Sequence, residues 1–201
     1  TIWVPKRGQV TGETVNRINL TMARFTKPSD QSLAISLQAG DITALTTIIE
    51  RYQSPLLRYV NYLGAGHQDQ DIVQDTFIKV YRNINSYDSG RSFSSWIYRI
   101  AHNTAISQLR ASRYTLPWDD YLDRFIKQDI EVDFDSQVKK TQVKNCLAEL
   151  PLRYRAPLTL YYFEDKSYAE IMDILRLPMG TVSALINRAK KLMRSLCQNQ
   201  Q

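Results

Sequence analysis

Polar and basic side chains recur at helical spacing near the C-terminus, where they could contact nucleic acid. Hydroxyl, amide and guanidinium groups bond base edges and phosphates, and a helix that carries them fits the major groove of duplex DNA. The residues of this kind are Thr181, Ser183, Asn187, Arg188, Lys190, Lys191 and Arg194.

The elements that would present these side chains have helix-turn-helix spacing. Ser167 and Glu170 stand at capping-box positions that predict a helix over Tyr168 to Leu175, and Met179 to Leu196 reads as a second helix after a three-residue connection. The inward positions of the second helix are Val182, Ile186, Ala189 and Leu192. A plain helical hairpin is the alternative, but the tight turn and the local positive charge favour DNA binding.

A second polar group lies in the middle of the chain. Arg99, His102, Asn103, Ile106 and Arg110 are predicted on the outer face of a helix whose inner face is apolar. The turn over 85–95 before it offers hydroxyls and a glycine, which together with arginine and asparagine can bond phosphates and base edges. From composition alone, a solvated helix face is the simpler interpretation.

The helix before that turn has a polar outer face. Asp71 with Gln74 is a candidate N-terminal cap. The predicted buried stripe is Ile72, Val73, Thr76, Phe77, Val80, Tyr81 and Ile84, and the outward residues are Gln74, Asp75, Ile78, Lys79 and Arg82. Without further information, this pattern indicates a solvated face.

Catalytic and metal chemistry find little support in the residues. Cys146 and Cys197 lie 51 positions apart, there is no CxxC, and the histidines are His67 and His102, so we expect reduced thiols and no metal site. A nuclease would need clustered carboxylates, and the dense acidic run, 119–135, lies in an apparent linker. We expect no catalytic residue and no cofactor.

The composition and charge divide the chain into parts. Apolar residues recur at spacings of three and four from Leu33 onward, which predicts an all-α protein of two small domains. Basic residues outnumber acidic ones by eleven to five over 139–201, whereas acidic residues lead by seven to three over 111–138. No apolar stretch approaches the roughly 18 residues of a membrane span, so we expect a cytoplasmic protein without membrane insertion.

Three sequence blocks together resemble an RNA polymerase sigma factor of the extracytoplasmic-function (ECF) group. The first two blocks are DIVQDTFIKVYR at 71–82 and FSSWIYRIAHN at 93–103. The third combines LPLRYRA at 150–156, SYAEI at 167–171 and GTV at 180–182. The middle block makes this resemblance more specific than a helix-turn-helix alone would be.

The resemblance implies a division of labour along an all-α chain. Residues 1–30 lie outside the resemblance, and their lack of lasting periodicity predicts a mostly irregular extension with room for one short helix around 15–25. Residues 31–112 form a region 2 domain for core polymerase and the −10 element, 113–138 an acidic linker, and 139–201 a region 4 helix-turn-helix domain for the −35 element. The implied partners are core RNA polymerase, promoter DNA and an anti-sigma factor.

The site residues follow by position in the family pattern. Core polymerase binding is expected of Gln74, Asp75, Ile78, Lys79 and Arg82. The −10 contacts are expected of Asp88, Ser89, Arg91, Ser92, Phe93, Arg99, Asn103 and Arg110, with the loop over 88–94 capturing a flipped base. The −35 contacts are expected of Thr181, Ser183, Ala184, Asn187, Arg188 and Lys191.

Some expectations stay open at this stage. Phe93 could stack on a melted base or belong to the core, and Ser183 and Leu185 stand where relatives often carry basic residues, so the −35 sequence read could be unusual. The linker could mimic a polyanion in a polymerase channel. The rival classes are a dimeric helix-turn-helix regulator that binds DNA without polymerase, and an enzyme acting on nucleic acid.

Overall fold

The computed structural model describes residues 27–64, 66–112 and 140–198. Within these ranges the chain is helical throughout its regular elements, as predicted. The α-helices are α1 Asp30–Gln38, α2 Thr43–Leu63, α3 Asp69–Asn83, α4 Phe93–Ser112, α5 Lys140–Glu149, α6 Leu152–Tyr162, α7 Tyr168–Leu175 and α8 Met179–Gln198. None of these helices is long and apolar enough to cross a bilayer. The expectations for the extension up to residue 26 and for the linker lie outside the described residues.

The first helical unit, residues 27–112, is built from α1 to α4. Gly40, at φ +94°, separates α1 from α2. Pro55 lies inside α2 rather than at its start, and Gly64 ends that helix in the left-handed conformation. The prediction that Asp71 caps α3 is wrong, because α3 begins at Asp69 and its preceding residue makes no side-chain capping bond.

The buried stripe of α3 agrees with the prediction except at its end. Ile72, Val73, Phe77 and Val80 are buried, but 51% of the Tyr81 surface is exposed. The reason is geometric: at about 100° per residue, Tyr81 is about 60° from the outward Ile78 around the helix axis.

The second helical unit, residues 140–198, contains the helix-turn-helix. Pro151 directly precedes α6, where the fixed backbone of proline suits the start of a helix. Both hydrogen bonds of the Ser167 and Glu170 capping box form at the start of α7, which confirms that prediction. Arg176 ends α7 with φ +56°, so the chain turns sharply into α8.

The two cysteines form a disulfide, which corrects the expectation of reduced thiols. Cys146 on α5 and Cys197 near the end of α8 have Cα atoms 5.5 Å apart. That distance suits a disulfide. Their 51-residue separation conceals the contact, which exists because α5 packs against α8 in a small core that includes Leu147, Leu192 and Met193.

The two units pack against each other. One apolar cluster runs from the core of the first unit into Ile171, Ile174, Val182 and Ile186 of the second. The buried Arg155 guanidinium also joins them, because Nη1 donates to the Leu63 carbonyl oxygen at 2.9 Å while Nη2 donates to that of Leu150 at 2.7 Å. A side chain at Gly64 would place its Cβ 2.7 Å from Arg155 Nη1, so this approach needs glycine.

Candidate functional site

The predicted recognition helix, α8, presents an open polar face. Val182, Ile186 and Ala189 are buried, so the opposite side of α8 faces outward. Of the predicted −35 residues, Thr181, Ala184, Asn187 and Arg188 are exposed, and Ser183 and Lys191 are half-buried. The structure therefore brings these side chains to one surface that a DNA groove could approach.

Lys190, which the sequence pattern grouped with the DNA-facing residues, points elsewhere. Its Nζ lies 5.3 Å from the centre of the Tyr162 ring. A hydrogen bond with the Tyr162 side chain raises the pKa of Lys190. Its ammonium group is thus held against α6 as a cation over an aromatic ring.

The outer face of α3 carries an apolar patch among polar groups. Ile78 is 47% exposed, and Gln74 and Arg82 are exposed beside it. Tyr81 extends this patch, and its helical spacing from Ile78 is the signal that sequence reasoning missed. An exposed apolar patch with a polar rim is typical of a protein interface.

Two of the predicted α3 residues already have partners. Lys79 Nζ donates to Thr104 Oγ1 at 2.9 Å, and Gln108 Nε2 donates to the half-buried Asp75 carboxylate at 3.4 Å. Both partners lie on α4. Lys79 and Asp75 thus help to hold α3 on α4, which leaves Ile78, Tyr81 and Arg82 as the freer surface for another protein.

The loop before α4 is organised by its own hydrogen bonds. Asp88 Oδ1 accepts from the Gly90 backbone N–H at 2.9 Å, and the Asp88 carboxylate pairs with Arg91 at 3.5 Å. The Tyr87 hydroxyl donates to the Arg91 carbonyl oxygen at 2.6 Å. Ser89 stays exposed at the tip of the loop. The loop ends at Ser92, because the next two residues already belong to α4.

Phe93 belongs to the core, which corrects its place among the −10 contacts. Its side chain is fully buried. Tyr52, Tyr87 and Trp96 surround the ring, with centroids 5.3 to 5.8 Å away. Such aromatic contacts stabilise the start of α4 and leave no ring face for a base.

The outer face of α4 is only partly open. Asn103 and Arg110 are exposed, but the Arg99 side chain is 16% exposed and donates from Nη1 to Asp173 Oδ1 at 3.0 Å. Burial lowers the pKa of Arg99, opposed by the Asp173 charge. Arg91 Nη1 lies 3.8 Å from the same carboxylate oxygen.

His102 turns inward rather than outward, which corrects its predicted position. The Tyr59 hydroxyl and His102 Nδ1 are 2.8 Å apart. Burial lowers the pKa of His102 to about 4, with a smaller contribution from the Arg110 charge. The ring is therefore neutral near pH 7, and Nδ1 can accept the hydrogen bond from Tyr59.

A further polar cluster joins the units beside this face. The Glu164 side chain is 1% exposed and accepts hydrogen bonds from the Tyr98 hydroxyl at 2.6 Å and from Arg58 Nη2 at 3.2 Å. Lys166 Nζ donates to Ser94 Oγ at 2.8 Å. Sequence reasoning missed this cluster, because its members are separated by 66 to 106 positions and no local pattern links them.

The described parts of the chain contain no group of three or more metal-ligating side chains that could hold an ion. What the structure brings together is an exposed polar recognition helix, a partly covered basic helix with a loop, and an apolar patch on α3. A helix-turn-helix with these surfaces defines a class of protein that binds DNA and a protein partner.

The comparisons identify the family. The sigma-70 region 2 family matches residues 48–114, and the sigma-70 region 4 family matches residues 140–193. The ECF RNA polymerase sigma factor SigW of Bacillus subtilis is 30% identical over 174 residues, which cover 79% of this chain and 91% of SigW. The chain belongs to the ECF family of RNA polymerase sigma factors.

A second relative agrees with this assignment, and two solved structures share the fold. The ECF RNA polymerase sigma-E factor of Haemophilus influenzae is 30% identical over 85% of this chain and 96% of its own length. CnrH in complex with the cytosolic domain of CnrY shares the fold, with a TM-score of 0.66 at 22% identity over 86% of this chain and 99% of that one. RpoE of Bartonella quintana, bound to the anti-sigma factor NepR, has a TM-score of 0.61 at 20% identity over 76% and 96%.

Proposed function

We propose that this chain is an alternative sigma factor that binds core RNA polymerase, recognises promoter −35 and −10 elements and helps to open the −10 duplex. One observation carries the proposal: a region 2 unit and a region 4 unit occur in one chain, each with a surface suited to its role. The chain acts without catalysis of its own and without a cofactor. It works in the cytoplasm, where polymerase and promoters are found.

The α3 patch is the proposed contact with core polymerase. Ile78, Tyr81 and Arg82 combine exposed apolar area with a positive charge on a rigid helix. Aromatic and arginine side chains of this kind often contribute most of the binding energy of an interface. Gln74, Asp75 and Lys79 border the patch and complete the predicted set.

The α8 face is the proposed −35 reader. Arg188 and Asn187 can bond guanine and adenine edges, and Ala184 can contact a thymine methyl group. Thr181 and Lys191 lie where they can bond phosphates and fix the helix in the groove. Ser183 gives this chain a short hydroxyl where relatives often carry a basic residue.

The loop of residues 88–92 and the α4 face are the proposed −10 site. Extruding a base from the duplex costs a few kcal/mol of stacking and pairing, which hydrogen bonds to the exposed base edge can offset. Asp88 and Ser89 supply the polar groups of the loop. Arg99, Asn103 and Arg110 lie on the next helix, where they can hold the backbone of the melted strand.

The units divide as residues 31–112 and 139–201, with 113–138 as the connection between them. The acidic charge of that connection suits a polymerase channel that otherwise holds nucleic acid. An anti-sigma factor is a further partner, in line with the NepR-bound relative. It would hold the chain inactive by covering polymerase-binding surfaces such as the α3 patch.

In vitro transcription with purified core polymerase on a randomised promoter library tests the function. We expect initiation only when the chain is added, with preferred bases at two elements separated by a fixed spacer. An equal level of transcripts from core polymerase alone would contradict the proposed function. Duplex binding with high specificity by the chain alone would instead support a regulator that acts independently of polymerase.

A further inference from the structure

The loop before α4 is anchored by a residue that lies outside both the sequence blocks and the family match. Gln38, the last residue of α1, donates from Nε2 to the carbonyl oxygens of Ile84 and Tyr87, each at 2.9 Å. It precedes these partners by 46 and 49 positions in the chain. The sigma-70 region 2 match begins only at residue 48. Only its contacts therefore point to a role for this side chain.

The two carbonyl groups lie where the chain leaves α3 and enters the loop. A short 3₁₀ turn, Ile84–Ser86, follows α3, and Tyr87 comes next in an extended conformation. The last carbonyl groups of a helix have no partner within it and need one elsewhere. The Ile84 carbonyl oxygen accepts from the Tyr87 N–H at 3.0 Å as well as from Gln38. Gln38 thus fixes both ends of the turn that leads into the loop.

The helix that carries Gln38 is itself held in place. Leu33 and Leu37 of α1 are buried. Near its N-terminus, the Asp30 carboxylate accepts from the Tyr52 hydroxyl of α2 at 2.5 Å. The Gln38 amide is half-buried at the other end of the helix, so its two hydrogen bonds set the point where the loop begins.

Tyr87 connects this anchor to the loop itself. Its side chain is buried, and its hydroxyl donates to the Arg91 carbonyl oxygen at 2.6 Å. The Asp88 carboxylate closes the turn between them by accepting from the Gly90 N–H at 2.9 Å. These hydrogen bonds favour one shape of the loop, in which Ser89 is exposed at the tip.

A loop with a set shape suits the capture of an extruded base. Hydrogen bonds to a base edge favour the matching base only if neighbouring contacts hold the polar groups of the loop in the right places. Order that is present before binding does not have to be created when the base enters. Without the anchor, only the fraction of molecules with the competent loop shape would hold the base.

We propose that Gln38 is a positioning residue of the −10 site, which holds the loop of residues 88–92 in the shape that discriminates one base of the −10 element. The proposal rests on the proposed base-capture role of this loop. Gln38 acts through the Ile84 and Tyr87 carbonyl groups and not through contact with DNA. Its loss should therefore reduce the preference at the position that the loop reads and leave the other positions unchanged.

Transcription by the holoenzyme on a promoter library randomised over the −10 element tests this proposal. Gln38→Met keeps the length of the side chain and removes both hydrogen bonds. Two hydrogen bonds of ordinary strength can bias a loop conformation about tenfold, so we expect the preference for the favoured base at one −10 position to fall about tenfold. Tyr87→Phe removes one hydrogen bond and keeps the ring, and it should lower the preference at the same position about threefold.

Gln53→Met is the matched control. Gln53 is an exposed glutamine on α2 of the same unit, so the same substitution there should leave every preference as in the wild type. A merely structural role of Gln38 would lower transcription from all promoters by the same factor, and that result would overturn the proposal. So would unchanged preferences in the folded variant. If circular dichroism shows that Gln38→Met is unfolded, Gln38→Glu, which places an acceptor against the two carbonyl oxygens, serves the same test with Gln53→Glu as its control.

Ser89→Ala in the same assay separates this proposal from the proposed function. It alters the loop tip directly and should change the preference at the same position as Gln38→Met. If Ser89→Ala changes one position and Gln38→Met changes none or a different one, only the Gln38 proposal fails. If Ser89→Ala changes no preference, the proposed base capture by the loop fails, and the Gln38 proposal fails with it. Transcription that does not depend on the added wild-type chain would contradict the proposed function itself.

Discussion

The two proposed DNA-binding faces of this molecule differ in how accessible they are. The −35 face on α8 consists of exposed side chains on a helix whose opposite side is buried in its own unit. The −10 face on α4 is covered by α7, and Arg99 donates hydrogen bonds to the carbonyl and carboxylate oxygens of Asp173. The side chains of one face are open to solvent, whereas Arg99 on the other is paired with a carboxylate of the second unit.

The difference matches the chemistry of the two targets. Duplex −35 DNA is present before polymerase acts, so a preformed helix can read it with little reorganisation. The single strand of the −10 element exists only once the duplex opens.

The helices of the two proposed faces are also held in place differently. Reduction of the disulfide tests what it contributes to holding α8, the helix of the −35 face. Cys197 ties the end of the −35 helix to α5, and the bond closes a loop of 51 residues. Loss of that constraint should lower the free energy of unfolding by about 2 to 4 kcal/mol. Urea unfolding of the full chain with and without dithiothreitol measures the difference. Cys197→Ser is the control, since its stability should not respond to the reductant.

An identical unfolding curve in both conditions would show that the cysteines are unbonded in solution. It would also remove this contrast between the supports of the two faces.

The α3 patch should decide whether the chain binds core polymerase. Ile78→Glu with Arg82→Glu places negative charge in the patch, and we expect core polymerase affinity to fall about a hundredfold. Titration of labelled core polymerase measures it. The matched control is Ile35→Glu with Lys27→Glu, at exposed positions on and beside α1. Duplex binding through α8 should stay the same in both variants, and its loss would contradict separate roles for these faces.

The two faces also differ in how much of their structure the sequence predicted. The helix-turn-helix followed from local signals, namely the Ser167 capping box and the apolar stripe of α8, and it formed as predicted. The outward set on α3 also followed from helical spacing. The contact of α7 with α4 did not, because Arg99 and Asp173 are 74 positions apart.

Three errors of the sequence analysis share one physical origin. Phe93 and His102 were placed on an outer surface by their position in a turn or on a helix face, but packing against α2 turned both inward, toward Tyr52 and Tyr59. The disulfide likewise depends on how α5 meets α8. Local periodicity cannot report contacts that depend on where helices distant in sequence pack.

Arg188 tests the open face directly. Arg188→Ala removes a guanidinium that can pair with a base or a phosphate, and we expect the −35-dependent part of promoter binding to fall about tenfold. Lys144→Ala, an exposed charge on α5 of the same unit, is the control. Gel-shift titration of holoenzyme on promoters with and without the −35 element measures the effect. A uniform loss on both promoters would assign Arg188 to non-specific attraction instead.

We expect the smallest effect from acidification, which should destabilise the first unit, the one that carries the proposed −10 face, before the second. The pKa of His102 is about 4 in the folded chain, below its ordinary value of 6.5, because burial disfavours the imidazolium. Between pH 4 and 6.5 the unfolded chain therefore binds more protons than the folded chain. The contribution of neutral His102 to the free energy of unfolding is complete above pH 6.5 and is lost as the pH falls toward 4. We expect a loss of about 1 kcal/mol between about pH 7 and about pH 5.5. His102→Gln, whose amide can still accept from Tyr59, should lose less stability over that range in urea unfolding, and an identical slope in both proteins would place the responsible proton elsewhere.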